Sequence, residues 1–367
     1  MAQDLFAPMT VGDVALKNRI VMAPMTRCRA IGNVPNELMA TYYAQRATAG
    51  LLITEGTTPA PEGLGYARIP GIFSEAQVAG WKLVAEAVHA KGGRIFVQLM
   101  HTGRVGHPAN LPEGVEMLAP SAVAAVGEMW TDSQGMQPHP TPRAMTEGDI
   151  ARVIQSFAQG ARHARAAGLD GIELHGANGY LLEQFFHPAV NLRTDTWGGD
   201  YRARGRFILE VAKACVASIG AGRVGIRLSP HGVFNDMAPY KGVEEAYTWL
   251  AGELGKLGLA YLHGVDHSPM GAPEVPQATK DAMRAAFKGT VILSGGFDRA
   301  RAEADLAAGK GDLVAFGRPF LANPDLVDRM KQGTPLQDPD PATFYTPGPE
   351  GYTDYQEAGR QAQLEVG

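Results

Sequence analysis

TVILSGGFDRARAEADLAAGKGDLVAFGR, residues 290–318, is the stretch on which the reading of the fold turns. An apolar run at Thr290–Ser294 is short enough for a strand and breaks at Gly295-Gly296. A helical pattern follows over Arg299–Ala308, and a second apolar run, Leu313–Gly317, stops at Arg318. Neither run alternates strictly between apolar and polar residues, which suits strands buried on both faces. Strand, helix and strand in that order make a parallel unit.

Outward from this unit the same alternation recurs. Further strand candidates are Arg19–Ala23, Leu51–Glu55, Arg94–Met100, Gly171–His175, Val224–Ser229 and Ala260–His263. Between them lie helical patterns. Ser74-Glu75-Ala76-Gln77 is a capping-box signature opening a helix toward Lys91, and Thr146-Glu147-Gly148-Asp149 resembles one opening a helix that ends near Gly168. Val243–Leu257 reads as another helix. Eight strand–helix alternations predict an α/β fold, a closed (β/α)8 TIM barrel, with residues 1–367 as one domain. An open doubly wound sheet would carry a glycine fingerprint after its first strand, and none is present. Two segments break the rhythm. Residues 5–18 read as a hairpin capping the N-terminal mouth of the barrel, and residues 101–145 as a long Pro/Gly-rich excursion after the third strand. An excursion of that length is usually functional.

Composition narrows the class. Charged residues are 19% and the net charge is −5, so no basic field argues for nucleic acid or an anionic membrane. Cys28 and Cys215 form no C-x-x-C pair, which excludes an iron–sulfur or structural zinc site. Met1-Ala2-Gln3-Asp4 has no basic, then apolar, leader pattern, and no apolar run approaches membrane-spanning length, so a cytoplasmic protein is expected. His101, His175, His187, His263 and His267 scatter over different strands without an H-x-H or H-E-x-x-H pair, so no catalytic metal is expected.

In a barrel the chemistry belongs at the C-terminal ends of the strands. Ser294-Gly295-Gly296 and Gly317-Arg318 follow strands seven and eight, where barrels often bind phosphate. Glycines let backbone N–H groups approach an anion, and an arginine adds a bidentate contact. The bland alternative is that these glycines only make tight turns. The fourth strand end carries His175, Asn178 and Tyr180 within six residues. The first two can donate to one oxygen and Tyr180 has a proton to give; on the residues alone, a satisfied core histidine beside a turn-forming Asn-Gly is an equal reading.

Longer segments tip that balance. Lys17-Asn18-Arg19-Ile20-Val21-Met22-Ala23-Pro24-Met25-Thr26-Arg27, Gln98-Leu99-Met100-His101-Thr102-Gly103-Arg104, His175-Gly176-Ala177-Asn178-Gly179-Tyr180 and Phe316-Gly317-Arg318-Pro319 resemble the signature segments of the Old Yellow Enzyme family, and the likeness runs over nearly the whole chain. The resemblance implies an FMN-dependent ene-reductase, with NADPH or NADH as electron donor and small activated alkenes, conjugated to a carbonyl or nitro group, as substrates. Carried over by position, Pro24, Met25, Thr26, Gly56 and Gln98 should line the isoalloxazine, and Arg227 should lie near its N1 and C2 oxygen. Gly295, Gly296, Gly317 and Arg318 should hold the phosphate. His175 and Asn178 should bind the substrate oxygen and Tyr180 should deliver the proton, with Phe234, Asn235 and Tyr352 shaping the substrate side. Met100 stands where the family usually has Trp, which makes it the position expected to set substrate scope. A monomer or homodimer is expected.

Three rivals are weaker. The larger dehydrogenase relatives need a cysteine cluster. A phosphate-binding lyase or isomerase needs a lysine or carboxylate base at a strand end, where only Glu55 and Glu173 are near. A non-catalytic flavin carrier would have no use for Tyr180 beside two paired donors.

Overall fold

The computed structural model describes residues 4–358. The Met1–Gln3 tripeptide behind the leader expectation lies outside them, as do residues 359–367. Eight parallel strands close into a barrel: Ile20–Met22, Leu51–Ile53, Ile95–Leu99, Gly171–Gly176, Val224–Leu228, Tyr261–Val265, Val291–Ser294 and Leu313–Phe316. Closure is made where Ala315 of the last strand pairs with Val21 of the first. Almost every strand residue is buried on both faces, which is why the sequence shows apolar runs rather than alternation.

Helices cover the outside. Glu75–Ala90 starts on the expected box: Ser74 Oγ accepts from Gln77 N at 3.3 Å, and Gln77 Oε1 accepts from Ser74 N at 3.1 Å. Glu147–Ala166 starts the same way: Thr146 Oγ1 accepts from Asp149 N at 3.1 Å, and Asp149 Oδ2 accepts from Thr146 N at 2.9 Å. Each box satisfies N–H groups that a helix start otherwise leaves without partners. Val243–Lys256 and Arg299–Ala307 complete the predicted set.

The hairpin is Met9–Val11 paired with Val14–Leu16. Its buried side, Val11, Val14 and Leu16, packs with Val21, Leu51, Phe96, Tyr261 and Ile292 from the barrel interior. It therefore plugs the N-terminal mouth, and any opening must be at the other end. The excursion is built rather than loose. Leu118–Ala119 pairs with Arg143–Ala144, and Glu128–Thr131 forms a hairpin with Gly135–Pro138. The sixth strand runs on to Val265, two residues beyond the expected end at His263. Among the described residues, no helix is long and apolar enough to cross a membrane, and no group of three or more His, Cys, Asp or Glu side chains is placed to hold a metal ion.

Candidate active site

A cavity of about 420 Å³ opens at the C-terminal ends of the strands. One wall is the loop after the first strand, Ala23 to Arg27, faced by Gly56, Gln98 and Met100 from the second and third strand ends. Gly56 carries no side chain because Met100 occupies that space: a Cβ there would lie 2.5 Å from the Met100 sulfur. Arg227 reaches in from the fifth strand. It is buried and its Nε has no partner within the protein.

The opposite end is a glycine cradle. Gly295 has φ +140° and Gly296 φ +61°, conformations that other residues rarely adopt. Cβ atoms would meet the Asp266 carbonyl oxygen at 2.4 Å and Pro269 at 2.7 Å. The Gly295 carbonyl is held by Arg301 Nη1 at 2.8 Å. Gly317 and Arg318 line the same end. Glycine backbone lining the cavity, an arginine, and no room for a side chain at 295 and 296 suit an anion.

On the third side stand His175, Asn178 and Tyr180. The fourth strand ends at Gly176, and a six-residue helix, Leu181–Phe186, begins after Tyr180. The turn between them puts Asn178 in the left-handed region at φ +61°, which asparagine tolerates better than most residues. Three contacts hold Asn178 there. Its N–H donates to Ser229 Oγ (2.9 Å), its carbonyl accepts from Asn235 Nδ2 (2.7 Å), and its Oδ1 accepts from His267 Nε2 (2.6 Å). With Oδ1 taken, the amide presents its NH2 as the free group. Burial, and then the Arg227 charge, hold the His175 imidazole well below its usual pKa, so the ring is neutral, and its Nδ1 has no partner within the protein. Tyr180 stands edge-on to His175, with ring centres 4.9 Å apart. Burial pushes its phenol pKa up, which keeps the proton on. Its oxygen lies 2.9 Å from that of Tyr66, and the Asn235 side chain is a further hydrogen-bond partner of both phenols.

Beneath the turn, Glu183 accepts from Tyr247 (2.5 Å), Gly179 N (2.6 Å) and Ser229 Oγ (3.1 Å). Burial raises this carboxyl to about 7 despite those donors. It therefore braces the segment that carries Asn178.

The structure thus gathers Pro24, Met25, Thr26, Gly56, Gln98, Met100, His175, Asn178, Tyr180, Arg227, Gly295, Gly296, Gly317 and Arg318 around one cavity. It does not bring all the substrate-side expectations there. Phe234 sits behind the wall, edge-on to His267 at 4.5 Å, and Asn235 reaches the site only through Asn178 and the two phenols. Tyr352 is a correction. It is 0% exposed and stacked on Tyr42 at 4.0 Å, with the Arg27 and Arg29 guanidiniums over its ring at 5.1 and 4.7 Å. Those arginines also hold the C-terminal strap by its carbonyls: Arg27 takes Gly351 at 2.8 Å, and Arg29 takes Thr343 and Phe344 at 2.8 and 2.7 Å. The strap residues that line the cavity are Phe344 and Tyr345. Sequence reasoning does not mark Asp266 and His267, which lie just past the true end of the sixth strand, or Tyr66, which no motif signals.

Fold and site together define a flavin-dependent barrel oxidoreductase. The model of the NADH:flavin oxidoreductase / NADH oxidase family matches residues 4–337. A chanoclavine-I aldehyde reductase of Penicillium roqueforti is 45% identical, over 96% of this chain and 95% of its own. 12-Oxophytodienoate reductase 7 of Oryza sativa is 40% identical over 97% and 95%. Among solved structures, morphinone reductase superposes with a TM-score of 0.95 at 43% identity, covering 98% of both chains. Morphinone reductase in complex with tetrahydroNAD gives 0.91 at 44%, covering 96% and 97%. The chain belongs to the NADH:flavin oxidoreductase / NADH oxidase family, that of the Old Yellow Enzymes. It is an FMN enzyme that draws electrons from a nicotinamide dinucleotide. The cavity fits that cofactor: the buried Arg227 Nε without a partner suits an electron-rich ring edge, and the glycine cradle suits the phosphate.

Proposed function

We propose that this chain reduces carbon–carbon double bonds conjugated to a carbonyl or nitro group. The observation that carries the reading is the donor pair. His267 occupies Asn178 Oδ1 and so leaves the amide NH2 beside a neutral His175, with a protonated Tyr180 edge-on to that ring. Lining one cavity, these two neutral donors would together stabilise the charge that builds on a carbonyl or nitro oxygen as its conjugated alkene is reduced. Pro24, Met25, Thr26, Gly56, Gln98 and Arg227 would hold the ring of FMN, and Gly295, Gly296, Gly317 and Arg318 its phosphate. Bound FMN supplies the two-electron chemistry, taking reducing equivalents from the nicotinamide and passing them to the alkene. Tyr180 gives the proton that completes saturation, and Tyr66 and Asn235 keep its hydroxyl aimed. In this reading residues 1–367 act as one catalytic domain in the cytoplasm.

The test is rapid mixing of the two half-reactions. In Tyr180→Phe, reduction of the bound flavin by NADH or NADPH should keep its rate, because no proton from Tyr180 is needed. Reoxidation by a cyclic enone should slow by roughly 10²-fold, the usual worth of a placed general acid. Equal slowing of both halves would make Tyr180 structural. Reduced wild-type enzyme that reacts with oxygen but with no enone would remove the alkene-reductase reading.

A further inference from the structure

Below the cavity floor lies a polar group for which the proposed chemistry has no use. Glu173, on the fourth strand, is 0% exposed. Both of its oxygens accept hydrogen bonds, Oε1 from Gln98 Nε2 and Oε2 from His263 Nδ1, each at 2.8 Å. Strand register puts Glu173 directly beside Gln98. On its other side is Gly225, where a Cβ would lie 2.2 Å from the Tyr261 ring, so the fifth strand sends no side chain into this layer. Arg227, two residues further along, feels the charge of Glu173 and has no salt bridge to it. A carboxylate buried against neutral donors is a poor device for stability, since such partners offset its desolvation only in part. Its effect on what Gln98 and Arg227 present to the cavity is another matter. A glutamine amide can face either way, and the acceptor at Glu173 decides which.

We propose that Glu173 is a positioning residue for the flavin ring: it takes the NH2 of Gln98, so that Gln98 Oε1 is turned to the cavity as an acceptor for a ring N–H, and its charge partly offsets that of Arg227. The inference rests on reading Gln98 and Arg227 as ring-binding residues. It makes the flavin harder to reduce than Arg227 alone would, because added negative charge on the ring is favoured by Arg227 and opposed by Glu173.

Binding of oxidised FMN and the midpoint potential of the holoenzyme are the readouts. In Glu173→Gln the acceptor becomes an amide that no longer selects one orientation of Gln98, so oxidised FMN should bind about tenfold more weakly. Reduced FMN should lose the same contact yet gain from the removed charge, leaving its affinity near wild type. That tenfold difference corresponds to a potential about 30 mV higher for a two-electron couple. Glu173→Asp keeps the charge but shortens the reach. FMN should weaken in both redox states alike, with the potential unmoved. Wild-type affinity and potential in Glu173→Gln overturn the proposal. Should that variant fail to fold, unchanged FMN affinity in Glu173→Asp overturns it equally. Gln98→Ala separates the two readings: if it leaves FMN affinity untouched, the assignment of the ring site has failed, whereas a normal Gln98 effect with a silent Glu173 sinks this inference alone.

Discussion

Met100 is the residue expected to set substrate scope, and the structure shows where its side chain sits. The side chain fills the space that Gly56 leaves open and packs with Leu64, Ile69 and Tyr180. A thioether is unbranched and adapts to its neighbours, while an indole is large and rigid. Met100→Trp should therefore outgrow the space beside Gly56 that the thioether now fills, and push further over the cavity. For a bulky cyclic enone, either the rate or the enantiomer ratio should move by about tenfold, which takes only 1.4 kcal/mol between two bound orientations. Cyclohexenone should change little. Rates and chiral product analysis over a size series check this. Uniform behaviour across the series would mean that Met100 does not meet substrate.

At the level of the element, the turn after the seventh strand should be the least tolerant part of the barrel rim. Gly295→Ala would force a side chain onto a φ of +140° and against the Asp266 carbonyl. The backbone penalty alone is roughly 1–3 kcal/mol, before the clash is counted. Asp266 would have to move, and it is itself tied to Lys280 at 2.6 Å and to Ser268 N at 2.9 Å. FMN affinity should drop by about tenfold or more, because the cradle can relieve the strain and the clash only by shifting away from the geometry that faces the phosphate. Gly317→Ala is the control from the other half of the cradle. Its φ is −99°, and its Cβ would meet the Met25 sulfur at an ordinary 3.7 Å. Fluorescence titration of FMN with the two apoproteins should show a large loss for the first and a small one for the second. Equal losses would mean that any added methyl blocks the phosphate, and that backbone conformation is not the reason glycine stands at 295.

For the whole molecule, buried ionisable groups make stability depend on pH. Burial raises Glu55 and Glu183 from 4.5 to about 7. An acid raised in the folded state holds its proton there after the unfolded chain has released it. Its contribution is therefore complete below pH 4.5 and is lost as pH climbs through about 7. His101 and His267, both lowered to about 4 by burial, act with the opposite sign: their contribution is complete above pH 6.5 and fades as pH falls toward 4. A comparison of wild type with Glu183→Gln subtracts the histidines. The variant should gain on wild type between pH 5 and 8, by an amount on the order of 3 kcal/mol. Urea unfolding of the two holoproteins across that range checks it. A constant difference would mean that Glu183 is ionised in the fold at all these pH values.

Local pattern alone determined the barrel. Apolar runs, capping boxes and glycine breaks act within a few residues, and a strand buried on both faces leaves its mark on its own sequence. The same holds for the cradle at Gly295 and Gly296, where backbone conformation admits little else, and for the grouping of His175, Asn178 and Tyr180 on one turn. What only the tertiary structure decided is how distant side chains meet. Tyr352 and Tyr345 are seven residues apart on an irregular strap with no periodicity to say which ring points inward. Arg27 and Arg29 settle it, by capturing Tyr352 on Tyr42 from the other end of the chain. His267 turns the Asn178 amide from 89 residues away, and Glu173 reaches Gln98 across 75. Sequence spacing records which residues share a strand end. Which atom each of them presents there depends on hydrogen-bond partners that only the closed barrel brings within reach.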